Sequence, residues 1–148
     1  MTDTSAAAGG TGDLTGSSPA DLRGTLIERM GLQLQEAGPH RLVARMPVEG
    51  NTQPYGLLHG GASCVLAETL GSIGAAMHAS SLGAVAVGLD INATHHRGVR
   101  AGWVTGVAEA ISLGRSVASY EVVISDDEGR RICTARITCL IRPTPPGA

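Results

Sequence analysis

One carboxylate stands alone in the middle of this sequence. Glu68 is the only Asp, Glu, Lys or Arg residue between Glu49 and Asp90. Surface helices normally carry several charges, so an isolated carboxylate is either paired for structural reasons or takes part in chemistry. A carboxylate can act as a nucleophile or as a general base that activates water. We favour a chemical role, because the residues around Glu68 are small and uncharged.

A second candidate group precedes Glu68 in the chain. His59 is followed by Gly60 and Gly61, and the residues after them predict a long helix. The start of a helix has unpaired backbone N–H groups and a partial positive charge. Two residues without side chains would let a carbonyl oxygen approach those N–H groups closely. The sheet-facing side of this helix is predicted from the helical spacing of Ala62, Val65, Leu66, Thr69 (through its methyl), Ile73, Ala76 and Met77.

The spacing of these two groups bears on how they could meet. Seven residues lead from Gly61 to Glu68, which is about 10 Å along the axis of a regular helix. One helix would struggle to place both groups beside a single carbonyl carbon. Two antiparallel helices related by a twofold axis could do so, with Glu68 of one chain opposite Gly60 of the other. The spacing therefore favours a site at a dimer interface. A long, bent acyl group could still span the gap, so a site within one chain remains the alternative.

Each of these residues also has a structural interpretation. Glu68 could be a paired carboxylate in the core, and His59 could cap the helix or pack under a sheet. Gly60 and Gly61 could be glycines because a neighbour packs closely against them. A nucleophilic pair of Cys64 with His59 would lack a third group, so Cys64 is interpreted as a small helix residue.

Composition narrows the class of protein. A chain of 148 residues forms one domain, and a net charge of −2 without a basic run argues against a nucleic-acid partner. Cys64, Cys133 and Cys139 show no CxxC spacing, which argues against a disulfide framework and a zinc site. No apolar run reaches the ~18 residues of a membrane span, and no signal-peptide pattern is present. We expect a cytoplasmic protein without a metal, a cofactor or a membrane partner.

The order of the predicted elements indicates the fold. Residues 1–18 are rich in Gly, Ser, Thr and Ala and predict a disordered tail. Ser18 and Pro19 predict the start of a short amphipathic helix that runs to about Met30. Six β-rich segments are separated by turn residues; they are residues 32–36, 41–48, 84–96, 102–113, 116–125 and 131–142.

Two strands, one long helix and four strands predict an α+β protein with an antiparallel sheet, in a single domain of residues 19–143. One helix cannot cover both faces of a strongly curved sheet. If the sheet wraps around the helix, its outer strands are left free to pair with a second subunit.

At this point the residues resemble a known family. The segment NTQPYGLLHGGASCVLAETLGS is similar to the central-helix signature of the hotdog-fold acyl-CoA thioesterases, in which a curved antiparallel sheet wraps around one long helix. The likeness continues through VGLDINATHHRGVRAGWVTGVAEAISLGRS and SYEVVISDDEGRRICTARITCLI and covers roughly residues 22–142. More narrowly, the chain resembles the thioesterases of 4-hydroxybenzoyl-CoA, of 1,4-dihydroxy-2-naphthoyl-CoA and of phenylacetate pathways, whose catalytic carboxylate is a helix glutamate.

The resemblance implies an acyl-CoA thioesterase for an aromatic or medium-sized acyl group, and we expect a dimer with shared active sites within a homotetramer. It implies that Glu68 is the nucleophile or general base, and that the Gly60 N–H polarises the thioester carbonyl. It further implies that Gln53 and His59 orient substrate and water. The implied substrate contacts are Ser72 near the acyl group or water, His95 and Arg97 along the acyl and pantetheine path, and Arg115 and Ser116 at the nucleotide end of CoA.

Several alternatives stay open at this stage. In an alternating strand His95 and His96 point to opposite faces, which makes them a poor metal pair. Arg97, Arg100 and Arg115 could bind the CoA phosphates or simply face solvent. A hotdog hydratase or dehydratase is a second possible function, although its His-Phe-Pro-type signature is absent. A non-catalytic module that binds acyl-CoA or a carrier protein is a third.

Overall fold

The computed structural model of this protein describes residues 22–144. The predicted tail of residues 1–18 and the predicted helix start at Ser18 and Pro19 lie outside the described residues. The elements are α1 (Leu26–Arg29), β1 (Gln33–Glu36), β2 (Arg41–Pro47), α2 (Gly60–Ser81), β3 (Ala84–His95), β4 (Trp103–Leu113), β5 (Val117–Asp126) and β6 (Arg131–Pro143).

The six strands form one antiparallel sheet in the order β1-β2-β4-β5-β6-β3. The sheet curves around α2, so the predicted α+β class, with an antiparallel sheet wrapped around one long helix, is confirmed. Every strand boundary predicted from the sequence agrees with the structure to within one residue. This accuracy follows from alternating apolar residues and turn-forming residues, both of which act locally. Strands β1 and β3 are the two edges of the sheet.

The first helix is shorter than the sequence predicted. Among the described residues it covers only Leu26–Arg29, where the prediction began at Pro19. Thr25 has an extended backbone and caps the helix, because its hydroxyl accepts a hydrogen bond from the Glu28 N–H. Gly24 precedes it with a φ of +78°, a left-handed conformation that no helix residue has. The start signal at the earlier proline therefore does not determine where this helix begins.

The sheet-facing side of α2 is also different from the predicted one. Val65, Thr69 and Ala76 are only half-buried and do not belong to the hydrophobic core, which corrects their assignment to the sheet, whereas the half-buried Met77 does pack against the core. The residues of α2 that are buried are Ala62, Ser63, Leu66, Ala67, Leu70, Gly71, Ile73, Gly74, Ala75 and Ala79.

The physical reason for this difference is that glycines of α2 take part in the contact between the helix and the sheet. A Cβ added at Gly71 would lie 2.1 Å from Cγ2 of Ile137, and one added at Gly74 would lie 2.7 Å from Cδ1 of Leu42. The backbone of α2 thus rests directly on side chains of β6 and β2. Glycine carries little hydrophobic signal, so the sequence pattern did not reveal this face. Among the described residues, no helix has the length and hydropathy of a membrane span.

Candidate active site

The start of α2 presents one backbone N–H group without a partner. His59 is the N-cap, and its Nδ1 accepts a hydrogen bond from the Gly61 N–H at 2.8 Å. The N–H groups of Ala62 and Ser63 donate to the His59 carbonyl oxygen at 2.9 and 3.4 Å. Within the described chain, the Gly60 N–H has no hydrogen-bond partner. The positive end of the helix dipole is therefore open to a ligand at Gly60.

His59 has the helix-capping role that was its structural alternative. Its side chain is exposed, and Nδ1 is occupied by the Gly61 N–H. An imidazole nitrogen that accepts a hydrogen bond carries no proton, so the neutral ring has its proton on Nε2. The capping bond explains the local geometry without any contact between His59 and a substrate.

Gln53 lies in the turn that leads into α2. Its backbone N–H donates to the Leu57 carbonyl at 2.8 Å, and its carbonyl accepts from the Gly56 N–H at 2.9 Å. The side-chain Oε1 accepts a hydrogen bond from the Tyr55 backbone N–H. Because a backbone N–H bonds to oxygen, this contact fixes the orientation of the amide. The two N–H bonds of Nε2 have no partner in the part of the chain that the structure describes and are available as donors.

An open cleft with a volume of about 390 Å³ lies at the start of α2. It brings together four residues that the sequence analysis assigned to the site; they are Gln53, Gly60, His95 and Arg97. Leu57 and Ile132 add apolar surface to the walls, which suits an apolar part of a ligand.

Ser63 also lines the cleft, and the sequence analysis missed it. It lies three residues after Gly60 and therefore on the same face of the helix, which is the signal that could have identified it. His96 and Gly98, which follow the last residue of β3, line the cleft as well.

The ring of His95 packs against Gly60. A Cβ added at Gly60 would lie 2.9 Å from the His95 Nε2, so a glycine is required while the ring stays in this position. His96 makes a different contact, because its Nε2 lies 2.9 Å from the Thr134 hydroxyl. The two rings thus make different contacts, although both residues line the cleft. Among residues 22–144, no three His, Cys, Asp or Glu side chains form a group that could hold a metal ion.

Glu68 lies elsewhere on α2 and does not line this cleft. Its half-buried side chain accepts a hydrogen bond from the Ser72 hydroxyl, with 3.2 Å between Oγ and Oε1. Oε1 also lies against the backbone of Gly88 in β3. Over the described ranges no lysine, arginine or histidine forms an ion pair with Glu68. Among the described residues the carboxylate therefore has a hydrogen-bond partner, Ser72, but no ion-pair partner.

The predicted site residues thus lie in three separate places on one chain, which are the cleft at the start of α2, the middle of α2 at Glu68, and the turn with Arg115 and Ser116. Glu68 follows Gly60 by eight residues, which is about 12 Å along a helix. Arg115 and Ser116 are exposed in the turn between β4 and β5, near the opposite end of α2. That end is marked by His78, whose Nε2 lies 2.8 Å from the Gly114 carbonyl oxygen.

The two buried cysteines do not offer a nucleophile. All three are free, and Cys133 and Cys139 are buried. Burial, with a smaller contribution from Cys64, raises the pKa of the Cys133 thiol to about 11. Burial and then the charge of Glu68 also raise the pKa of Cys139. Both groups are therefore protonated thiols at neutral pH, which are weak nucleophiles.

A curved antiparallel sheet around one long helix, with a cleft at the helix start, defines a hotdog-fold protein. The sequence matches the thioesterase superfamily over residues 55–133, and the chain belongs to that family. It is 46% identical over 119 residues to the proofreading thioesterase EntH of Cronobacter turicensis, covering 80% of this chain and 86% of that protein.

Solved structures agree with this assignment. A glutamine-to-alanine variant of the thioesterase PA1618 from Pseudomonas aeruginosa superposes with a TM-score of 0.82 at 39% identity, covering 91% of this chain and 97% of that one. A glutamate-to-alanine variant of SAV0944 from Staphylococcus aureus gives a TM-score of 0.77 at 34% identity, with coverage of 80% and 99%. The protein is a hotdog-fold thioesterase, an enzyme that hydrolyses thioesters. Membership of this family favours hydrolysis over the hydratase and binding-module alternatives.

Proposed function

We propose that this thioesterase hydrolyses acyl-CoA thioesters with an aromatic or medium-sized acyl group to the free acid and CoA. The observation that carries the proposal is the pair of unpartnered donors in the cleft, the Gly60 N–H and the Gln53 amide. A thioester oxygen that accepts hydrogen bonds from these donors is polarised. The negative charge that develops on it during attack is stabilised by fixed dipoles, which is a large term in acyl transfer.

Glu68 supplies the carboxylate in this proposal. As a nucleophile it attacks the carbonyl carbon, releases CoA as the thiolate and leaves an acyl anhydride that water hydrolyses. As a general base it takes a proton from the water that attacks the carbonyl directly. The hydrogen bond from Ser72 to Oε1 holds the carboxylate in either case. His95 and Arg97 line the acyl and pantetheine path, and Arg115 and Ser116 contact the nucleotide. No cofactor or metal takes part.

The two halves of the site come from different subunits. The distance of about 12 Å along the helix between Gly60 and Glu68 supports this arrangement, as does the position of Glu68 outside the cleft. A half-buried stripe of α2 with Val65, Thr69 and Ala76 has no charged residue except Glu68 and suits a contact with a partner. The edge strand β3 can pair with a second β3. A dimer formed in this way assembles into a tetramer and works in the cytoplasm.

A relative offers independent support for the choice of residues. Structures of SAV0944 from S. aureus exist with a glutamine replaced by alanine and with a glutamate replaced by alanine. The numbers of those two positions differ by fifteen. Gln53 and Glu68 are separated by the same fifteen positions in this chain.

The test is a panel of acyl-CoA substrates with a free-thiol readout. Benzoyl, hydroxybenzoyl, phenylacetyl, hexanoyl and palmitoyl CoA are each incubated with the enzyme and with a Glu68→Gln variant as a matched control. We expect thiol release from the aromatic and medium-chain substrates by the wild type and little by the variant. Absence of thiol release from all of these acyl-CoAs, or release from palmitoyl-CoA alone, would contradict the proposed substrate class.

A further inference from the structure

We infer that Gly88 in β3 is a positioning residue for Glu68, because it leaves the space that the carboxylate occupies. The inference rests on the proposed function, in which Glu68 takes part in the reaction. It adds a residue on a different element, twenty positions further along the chain, to which no part of the reaction has been assigned.

The contact between the two residues is close. A Cβ added at Gly88 would lie 2.6 Å from Oε1 and 3.6 Å from Cδ of Glu68. Real Cβ atoms essentially never approach a heavy atom to less than 3.0 Å. Oε1 therefore occupies the volume that any side chain at position 88 would need. On its other side, the same oxygen accepts the Ser72 hydroxyl at 3.2 Å. Oε1 is held between helix and strand, and Oε2 has no hydrogen-bond partner among the described residues.

The neighbouring strand supports the same placement. Gly88 pairs with Cys139 across the ladder between β3 and β6. The charge of Glu68 contributes, after burial, to the raised pKa of the buried Cys139 thiol. The carboxylate thus lies over the point of the sheet where these two residues face each other.

A β-bulge gives Gly88 its orientation. The ladder between β3 and β6 shifts register between Gly88 and Asp90, so Leu89 is an extra residue and is 61% exposed. Gly88 and His95 are seven positions apart, and an unbroken strand would point them to opposite faces. The extra residue shifts the alternation of side-chain directions along β3 by one position. Gly88 and His95 therefore lie on the same face, where Gly88 faces Glu68 and His95 faces Gly60. One bulge therefore lets a single strand contact both halves of the site.

An alanine at position 88 should leave the fold intact. The φ of Gly88 is not positive, so its backbone suits any residue. The atom that the new methyl group would meet is the end of a flexible glutamate side chain, which can rotate to another rotamer. Gly71 differs in this respect, because a methyl group there would meet Ile137 within the core. The change at Gly88 should therefore move the carboxylate and not the backbone.

The experiment compares Gly88→Ala, Glu68→Gln and the double variant, using the best acyl-CoA of the panel. We expect Gly88→Ala to lower kcat by roughly tenfold to a hundredfold, since a misplacement of about 1 Å can cost ~10² in rate. KM and the melting temperature should stay close to wild type. The double variant should be no slower than Glu68→Gln, because Gly88 acts through that carboxylate. Glu121→Gln, an exposed residue on β5 outside the proposed site and subunit interface, is the control and should keep the wild-type kcat.

The outcomes separate this inference from the proposed function. Wild-type kcat in Gly88→Ala together with an inactive Glu68→Gln would overturn the inference and leave the proposed function standing. A fully active Glu68→Gln would overturn the proposed function itself. A further loss in the double variant, equal to that of Gly88→Ala alone, would show that Gly88 acts independently of Glu68. Misfolding of Gly88→Ala would contradict the claim that only the carboxylate must move.

Discussion

The start of α2 and its middle part carry the two halves of the proposed chemistry, and they are constructed in different ways. At the start, the N–H groups of Gly61 and Ala62 bond to His59 and leave one donor, the Gly60 N–H, open in a cleft. In the middle, Glu68 is half-buried and is held by Ser72 and by contact with β3. The half that polarises the carbonyl consists of backbone atoms, which the hydrogen bonds of the helix start hold in place. The carboxylate half depends on a flexible side chain.

This difference shows where each half can fail. A backbone donor keeps its position as long as the helix begins at the same residue, so it tolerates many side-chain changes nearby. A carboxylate on a long side chain keeps its position only while its neighbours exclude other rotamers. We therefore expect changes near Glu68 to affect turnover more than stability, and changes near His59 to affect stability more than turnover.

The largest expected effect comes from removing the charge of the carboxylate half. Glu68→Gln keeps the shape and most hydrogen bonds but cannot attack the thioester or accept a proton. Loss of a general base typically lowers the rate by ~10²–10⁴, so kcat should fall by that factor while KM and the melting temperature change little. Steady-state kinetics and thermal unfolding measure both. Glu121→Gln, an exposed residue on β5, is the control. A variant that fails to fold would support a structural role for Glu68.

The second-largest effect is expected from mixing two inactive variants, which tests whether the two halves meet across a subunit interface. Glu68→Ala and Gln53→Ala should each be nearly inactive alone. Under conditions that exchange subunits, random pairing makes about half of the dimers mixed, each with one intact site, so about a quarter of wild-type activity should return. Labelled subunits verify the exchange. If both residues serve a site within one chain, mixing will restore nothing.

A smaller effect is expected at the start of the helix, where His59 caps α2. His59→Ala should lower the free energy of unfolding by about 0.5–2 kcal/mol, the usual cost of a lost N-cap. His59→Asn should recover most of it, because asparagine is also a good N-cap. Urea unfolding measures the difference. Restored stability in His59→Asn with kcat still reduced would show that the imidazole also orients substrate or water, as the sequence analysis expected.

The smallest effect is expected from removing metal ions. The proposed reaction uses backbone donors and a carboxylate, so extensive treatment with a chelator should leave kcat unchanged. A loss of activity that one particular divalent metal reverses would show that the polariser is not the helix start. Enzyme passed over the same desalting column without chelator is the matched control.

Much of this molecule could be read from short-range patterns. The strands follow from alternation and turn residues, and the helix start follows from a capping residue before two glycines. The isolation of Glu68 was visible in the sequence, as was its distance from Gly60, because a helix converts residue number directly into length. These features are local, so they survive without knowledge of the rest of the fold.

Other features depended on contacts between distant parts of the chain. Gly71 and Gly74 lie on the buried face of α2 because side chains of other strands occupy the space beside them. The bulge at Leu89 lies beside a strand glycine, Gly88, which is a sequence signal for a bulge or a close backbone approach. Only the pairing with β6 shows that the register shifts there. The contact between Gly88 and Glu68 is visible only in the folded structure. Periodicity and capping are properties of neighbouring residues, whereas close packing is decided only when separate elements meet.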